Sequence, residues 1–181
     1  LYENDESHEL AIRYYRLAFE RVNHRGKAFD ALVRIYCAMG RSDSINEVYG
    51  ALNQKDELGR ADALSDAGAH EEALRIYRDL TGNMKKKADP TSLPMIVRYE
   101  QALTRSEKWP RVLECLERRA SLAADEAELA PIMSKQRWLL SERMADSDQA
   151  WEFYRQLHEE HPDDSEVLEN LARIAGARGE Q

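Results

Sequence analysis

The chain has 181 residues, of which 43% are hydrophobic and 33% are charged, with only 8 Gly and 5 Pro. This composition excludes a chain that is disordered over most of its length, and the absence of Val/Ile/Thr runs favours helix over strand. With 26 Lys and Arg against 34 Asp and Glu, the net charge is -8, so the average surface repels a phosphate backbone and disfavours general nucleic-acid binding.

About ten segments with apolar residues at three- and four-residue spacing predict helices. They span residues 7–22, 27–39, 44–53, 57–67, 70–82, 92–106, 109–123, 126–144, 147–160 and 164–178. Glycines at segment ends and prolines in turns or first turns separate them. These are Gly26, Gly40, Gly68, Gly82, Gly179, Pro90, Pro94, Pro110 and Pro162. Pro131 lies a turn inside the eighth segment, so we expect that helix to begin later or to bend there.

Every second helix carries one signature, a small or branched residue followed three and four places later by apolar or aromatic residues. We call these helices second-type. The signature reads Ala11-Tyr14-Tyr15, Ile45-Val48-Tyr49, Ala73-Ile76-Tyr77, Val112-Cys115-Leu116 and Ala150-Phe153-Tyr154, with spacings of 34, 28, 39 and 38 residues. The small residue lets a neighbouring backbone approach, and the pair a turn later fills the space above it. We therefore expect these side chains to be mostly core.

The first segment of the chain recurs at its last. Ala11–Arg41 and Ala150–Glu180 align over 31 positions without a gap and share nine identical residues. The intervening helices, here called first-type, have a complementary pattern. It reads Leu32, Val33, Tyr36 and Gly40 in the second helix, and Leu171, Ala172, Ala175 and Gly179 in the last. A glycine at this place can take the left-handed conformation that ends a helix, so the self-similarity predicts repeated antiparallel hairpins.

At these residues the chain resembles the tetratricopeptide repeat (TPR) family. Leu171, Ala172, Ala175 and Gly179 match the first-helix pattern of that family, whereas Ala150, Tyr154, Leu157 and Pro162, and again Ala73, Tyr77 and Leu80, match the second-helix pattern. The tandem arrangement is similar to bacterial arrays of the family. The resemblance implies an all-α, right-handed superhelical array of antiparallel helix hairpins, with a shortened hairpin around residues 56–67 and insertions near Met84–Ser92 and in the 126–144 helix.

The phase of the repeats bears on domain organisation. The sequence opens on a second-type helix and closes on a first-type helix, whereas a solenoid normally ends in a polar capping element. We therefore expect one solenoid domain over residues 1–181 that is a segment of a longer protein, or whose ends are covered by another chain.

No pattern predicts a catalytic, cofactor or metal site. His158 and His161 lie three residues apart on one helical face, but a zinc site needs further ligands and this is not the His-Glu-x-x-His order of zinc peptidases. Cys37 and Cys115 have no His neighbour at helical spacing, which disfavours a cysteine nucleophile. Phosphate-binding glycine loops are absent from the sequence. We expect no enzyme activity.

Two distant cysteines form no disulfide framework, so a reducing compartment is favoured and a cytoplasmic protein is expected, with a periplasmic or secreted protein as the alternative. No apolar run approaches the roughly 18 residues of a membrane span, and membrane insertion is not expected. The basic run Lys85–Lys87 is interpreted as a solvated loop, with a partner or nucleic-acid contact as the alternative.

Three arginines are candidate partner-binding residues. Arg34 and Arg173 are superposed by the internal alignment, and Arg98 takes the same place when Val97-Arg98 is laid on Val33-Arg34. In TPR proteins the first helices line a concave groove whose basic residues hold acidic groups of extended peptides, and the planar guanidinium suits bidentate bonds to carboxylate. The alternative is structural: each arginine pairs with a carboxylate of its own helix or of a neighbouring one.

The sequence thus predicts a scaffold for protein–protein interaction that binds a partner protein or peptide through its concave face. The alternative is a regulatory or oligomerisation domain that packs against other domains of a multidomain protein. An enzyme built on a helical toroid and an RNA-binding helical repeat rank behind these two, because no constellation of residues supports the first and the acidic balance disfavours the second.

Overall fold

The structure is a computed structural model that describes residues 2–82 and 92–179, with side chains described from Ser7 onward. The described residues form α-helices and no strand, and the chain divides into two compact units, Leu1–Lys87 and Ala88–Gln181. The first unit contains α1 (Tyr2–Glu20), α2 (Lys27–Ala38), α3 (Ser42–Gly50), α4 (Glu57–Asp66) and α5 (His70–Gly82). The second contains α6 (Leu93–Arg105), α7 (Trp109–Ala120), α8 (Glu126–Glu142), α9 (Asp148–Glu160) and α10 (Ser165–Arg178).

The all-α prediction is confirmed. The predicted segment 70–82 coincides with α5, and the other predicted ends lie within three residues of the observed ones, except that α1 starts at Tyr2 instead of residue 7. The handedness of the array stays a prediction.

Polar side chains just before the helices set where several of them begin. Asp125 accepts a 2.9 Å hydrogen bond from the amide of Glu128, and Asp164 accepts one of 2.9 Å from the amide of Glu166. The Ser147 hydroxyl accepts from the amide of Ala150 at 3.1 Å. Each contact satisfies an amide that has no partner inside its helix, which fixes the first turn.

The turns after α2, α4 and α6 share one geometry. Gly40, Gly68 and Glu107 have positive φ angles of 65°, 84° and 53°. In each turn the next amide donates to the carbonyl five residues back: Arg41 to Tyr36 at 2.9 Å, Ala69 to Leu64 at 2.9 Å and Lys108 to Leu103 at 3.0 Å. Gly179 after α10 also has a positive φ, of 70°. The left-handed glycines predicted at Gly40 and Gly179 are confirmed, whereas Glu107 adopts this conformation without the freedom of glycine.

In the first unit consecutive helices pack against one another, and the first-type helices α2 and α4 are also in contact. Phe29 on α2 meets the ring of Tyr49 on α3 edge-on, with 5.0 Å between ring centroids. Leu32 and Leu64 are fully buried. Successive hairpins thus share one apolar core.

In the second unit consecutive helices again pack in pairs, and α8 also contacts α10. Glu100 on α6 is only 2% exposed, although it carries a carboxylate. Its two oxygens accept from Arg119 on α7 and from Lys135 on α8, each at 2.5 Å. One buried carboxylate therefore connects three helices of this unit.

The second-type signature is buried in most helices. Ile45, Ala73, Val112 and Ala150 are at most 1% exposed. In α1, by contrast, Tyr14 is 64% and Tyr15 is 37% exposed. The expectation of a core position is wrong for these two tyrosines, because no helix in the described part of the first unit covers that face.

Pro131 lies inside α8, which begins at Glu126 and continues to Glu142. The expectation of a later helix start is therefore wrong. The Asp125 cap stabilises the first turn, and Pro131 leaves one carbonyl of that turn without an intrahelical donor, because proline has no amide hydrogen.

Ion pairs among the described residues connect segments of a unit that are one hairpin apart. They join Arg16 to Glu47, Arg41 to Glu9, Arg25 to Asp56 and Arg173 to Glu142, with sequence separations of 31, 32, 31 and 31 residues. These separations lie within the range of 28 to 39 residues between successive second-type signatures. Lys135 and Glu100, on α8 and α6 and 35 residues apart, belong to the same set.

Candidate functional site

The three arginines predicted to bind a partner all lie on first-type helices. Arg34 is on α2 in the first unit, and Arg98 and Arg173 are on α6 and α10 in the second. All three side chains are exposed.

Arg173 has partners within its own unit. Its Nη1 donates to Glu142 at the end of α8, and its Nη2 donates to the side-chain oxygen of Asn170 at 2.5 Å. The pair with Glu142 is a contact of the kind expected if Arg173 has a structural role and not a partner-binding one. Arg34, at the equivalent place in the first unit, makes no ion pair with any described residue. Two arginines that the sequence aligns therefore have different electrostatic surroundings.

A groove of about 400 Å³ lies in the second unit, between the second-type helices α7 and α9 and over α8. Leu113, Leu140 and Phe153 supply its apolar lining. Leu113 and Leu140 are buried, whereas Phe153 is half-buried. The groove therefore offers an apolar floor with one aromatic side chain that remains accessible.

The rim of this groove is acidic. Glu117, Asp148 and Glu152 line it, all three are exposed, and no Lys or Arg is among the lining residues. Asp148 pairs with Arg178 at 2.7 Å, and Glu152 pairs with Arg155 at 2.7 Å, which holds the pKa of the Glu152 carboxyl below its ordinary value. Glu117 makes no ion pair in the described part of the chain. The rim is thus partly neutralised, with Glu117 available to a cation.

Sequence reasoning did not find this groove. Its lining comes from three consecutive helices, α7, α8 and α9, and their mutual placement follows from packing and not from periodicity. One sequence feature could have indicated an accessible aromatic side chain on α9. Phe153 and Tyr154 are adjacent aromatics, and adjacent residues of a helix point in different directions. Tyr154 is 2% exposed and fills the core, which leaves Phe153 to line the groove.

A second depression, of about 560 Å³, lies in the first unit where the α1–α2 loop meets the α3–α4 loop. Arg25 and Asp56 line it and pair with each other at 2.6 Å, and the amide of Asn53 donates to the carbonyl of Asn23 at 3.0 Å. Apart from Leu52, its lining residues are polar or charged, and the pair between Arg25 and Asp56 neutralises two of the charges.

The two thiols are poor nucleophiles at neutral pH. Burial raises the pKa of Cys37, whose Sγ donates to the carbonyl of Ala63 at 3.3 Å. Burial raises the pKa of Cys115 to about 12. Because the thiolate is the reactive form, both thiols are held in the unreactive state.

No group of three or more His, Cys, Asp or Glu side chains in the described ranges is placed to hold a metal ion. His158 is half-buried near the end of α9, and His161 is exposed just beyond it. Over residues 2–82 and 92–179, no helix has both the length and the apolar character that crossing a bilayer requires. The basic run Lys85–Lys87 lies outside the described residues.

Comparison with known proteins gives no family assignment. No family model matches the chain, and no curated protein matches it. The resemblance to the TPR family stays a prediction from sequence. What the structure shows is an all-α array of consecutively packed helices.

Proposed function

We propose that this protein is a non-catalytic scaffold that binds a partner protein or peptide, and that the groove between α7 and α9 is a binding surface. The observation that carries the proposal is the combination of an apolar floor with an exposed acidic rim. The chemistry of the groove suits a partner segment with apolar side chains on one face and Lys or Arg on its flanks, because apolar burial supplies affinity and complementary charge supplies orientation.

Three hydrogen bonds support the rigidity of this surface. The Tyr154 hydroxyl donates to the carbonyl of Arg137 on α8 at 3.1 Å, which ties α9 to α8. Glu100 ties α7 to α8 through Arg119 and Lys135. A preorganised groove binds without the entropic cost of ordering its walls.

The concave-face alternative rests on the arginines. Arg34 favours it, because an exposed guanidinium that makes no ion pair with a described residue is available to a carboxylate. Arg173 disfavours it, since its two Nη atoms already donate to Glu142 and to Asn170. The partner chemistry also differs, because the arginines would select an acidic segment and the groove a basic one.

Affinity capture with immobilised protein, followed by mass spectrometry and by calorimetry with the purified partner, tests the proposal. A double charge reversal, Glu117→Lys with Glu152→Lys, and the truncation Phe153→Ala should each weaken binding of the partner. The matched control is Glu107→Lys with Glu114→Lys, which changes the charge equally at two exposed glutamates outside the groove lining.

The arginine alternative has its own variant. The triple variant combines Arg34→Glu, Arg98→Glu and Arg173→Glu, and a partner that binds in the groove should still bind to it. If this variant alone lost the partner, binding would be assigned to the first-type helices. If the partner bound to every variant with the wild-type affinity, the proposal that the groove is the binding surface would be wrong. Tight binding of single-stranded RNA that weakens steeply with salt would replace the scaffold by an RNA-binding function.

A further inference from the structure

Gln136 on α8 is a buried polar side chain that has no polar partner in the described part of the chain. The buried polar or charged side chains of that part are Ser65, Thr81, Ser92, Glu100, Gln136 and Ser141. The others make polar contacts, whereas the carboxamide of Gln136, which is 6% exposed, makes no hydrogen bond with a described residue. Buried polar groups are normally paired, so this carboxamide requires an explanation.

Gln136 lines the groove over α8. It lies one turn before Leu140 on the same face of that helix, and both side chains belong to the lining, together with Leu113 of α7 and Phe153 of α9. The fully enclosed side-chain atoms that lack a partner belong to other described residues, so the carboxamide opens to the groove. The apolar floor therefore contains one group that can form hydrogen bonds.

The unpaired carboxamide is unfavourable in the free protein. Burial has removed most of its water, and no described protein group replaces the lost hydrogen bonds. Its oxygen accepts, and its nitrogen carries two donor hydrogens. A ligand that supplies both a donor and an acceptor to Gln136 recovers these bonds, whereas a purely apolar ligand leaves the carboxamide unpaired and fully dehydrated.

A peptide backbone supplies this combination when it is extended. Inside a helix the N–H and C=O groups bond to one another four residues apart, so none remains for Gln136. In an extended segment the N–H and C=O of one residue point to the same side, as in a paired strand, and one carboxamide can bond to both. Successive side chains alternate in direction, so apolar side chains of the segment can still reach the lining.

The rim of the groove restricts the residues at the ends of such a segment. Glu117 is exposed and makes no ion pair with a described residue, and the lining contains no Lys or Arg. A basic side chain at the end of the apolar stretch complements this rim, whereas an acidic one is repelled by it.

We infer that the occupant of the groove is an extended peptide segment whose backbone pairs with the Gln136 carboxamide, with apolar side chains on Leu113 and Phe153. A Lys or Arg of the segment lies next to Glu117. This inference rests on the proposed function of the groove and adds the conformation and chemistry of the partner segment. Gln136 is then a residue that determines specificity, because it disfavours a helical ligand.

The free protein provides a first test. Gln136→Leu replaces the carboxamide with an apolar side chain of similar volume, so the melting temperature should stay the same or rise. Gln101→Leu, at an exposed position on α6 outside the groove lining, is the matched control and should have little effect. A melting temperature that falls by several degrees in Gln136→Leu alone would show that the amide stabilises the fold, and would contradict a role in recognition.

Peptides selected from a random library serve as the probe. A phage-displayed dodecapeptide library is first depleted on immobilised Phe153→Ala protein and then selected on the wild-type chain. The selected peptides should combine apolar residues with Lys or Arg. Calorimetry with one such peptide, acetylated and amidated at its ends, should show about tenfold weaker binding to Gln136→Leu, as expected for the loss of two hydrogen bonds. Gln101→Leu should change the affinity by less than about twofold.

Methylation of each backbone nitrogen of this peptide in turn tests the pairing. One central N-methyl group should weaken binding to the wild-type chain by about tenfold and have almost no further effect on Gln136→Leu, because the two changes remove the same contact. A peptide that requires Phe153 but shows no such coupling to Gln136 would overturn the inference and leave the groove as a binding surface. A library without any peptide that requires Phe153 would overturn both proposals.

Discussion

Arg119 on α7 donates to Glu100 on α6, a carboxylate with only 2% of its side chain exposed, at 2.5 Å. Lys135 on α8 approaches the other oxygen at the same distance. Two cations therefore hold one buried anion, and each of the three groups is on a different helix. A pair of this kind is sensitive to the removal of one partner, because the remaining charge then loses its compensation.

The first prediction concerns this cluster. Glu100→Ala should lower the free energy of unfolding by about 3 kcal/mol, since it removes two charge-assisted hydrogen bonds and leaves a cavity among α6, α7 and α8. Urea unfolding measured by circular dichroism provides the free energy of unfolding. Glu117→Ala makes the same chemical change at an exposed position and should shift it by less than about 0.5 kcal/mol. Equal losses for the two variants would contradict a special role for Glu100.

A second prediction follows from the turn after α6. Glu107 has a φ of 53°, in a turn whose counterparts contain Gly40 and Gly68. Glu107→Gly should stabilise the fold by up to about 1 kcal/mol, because relief of the left-handed strain exceeds the entropy that glycine adds to the unfolded chain.

The matched control is Glu114→Gly, at an exposed position in the middle of α7. It should destabilise the protein by about 1 kcal/mol, because glycine is a poor helix former. Thermal melting of the two variants should therefore move in opposite directions, and a drop for both would mean that Glu107 is not strained.

A third prediction uses the internal repeat as its own control. Tyr154→Phe removes a hydroxyl that donates to the carbonyl of Arg137 in a buried environment, and should cost about 1 kcal/mol. Tyr15→Phe makes the same change at the aligned but exposed position and should be close to neutral. Chemical denaturation resolves the difference, and a neutral Tyr154→Phe would contradict the stabilising role of this hydrogen bond.

The aligned arginines give a fourth prediction. Arg173→Glu places a carboxylate opposite Glu142 and should destabilise the protein by up to about 1 kcal/mol, the range of an exposed ion pair. Arg34→Glu should not destabilise it, because Arg34 has no ion pair to lose among the described residues. The melting temperatures of the two variants provide the test. Equal melting temperatures would contradict the structural role of Arg173.

The fifth prediction concerns alkaline pH. Burial raises the pKa of Cys115 from 9.0 to about 12, so the folded chain retains this proton while the unfolded chain loses it. The stabilisation is complete below pH 9 and is lost as the pH rises from 9 towards 12.

Between pH 8 and 10, the stability of the wild-type chain should therefore fall with a slope that approaches about 1.4 kcal/mol per pH unit for this thiol. Cys115→Ala should flatten the slope, whatever its effect on stability at pH 7. Cys37, Tyr49 and Tyr154, whose pKa values burial also raises, contribute to the slope in the same direction. An unchanged slope in Cys115→Ala would show that its thiol titrates normally.

Much of the fold could be predicted from sequence because its information is local. Helix α5 was predicted with its observed bounds, since its apolar periodicity begins after Gly68 and ends at Gly82. The left-handed residues were predicted only where glycine marked them. Glu107 has the same backbone conformation, but its left-handed φ could not be predicted from the residue type, because the turn and not the residue imposes the conformation.

The contacts between helices could not be predicted in this way. Periodicity shows which stripe of a helix is apolar, but it cannot show that a charged residue such as Glu100 is buried or that two cations reach it. It also placed Tyr14 in the core by analogy with other second-type helices, whereas burial requires a neighbouring helix to cover it. The place of Arg173 in the repeat was predicted; its pairing with Glu142 depends on the arrangement of α8 and α10.

The ion pairs that span 31 or 32 residues have a consequence for how such a chain can change in length. An insertion or deletion of a few residues inside a hairpin shifts one partner of a pair by part of a helical turn, so that acid and base no longer meet. Gain or loss of an entire hairpin leaves the surviving pairs intact. Length variation among chains of this design is therefore expected to come in whole hairpins, with the protein tolerating large modular edits better than small ones.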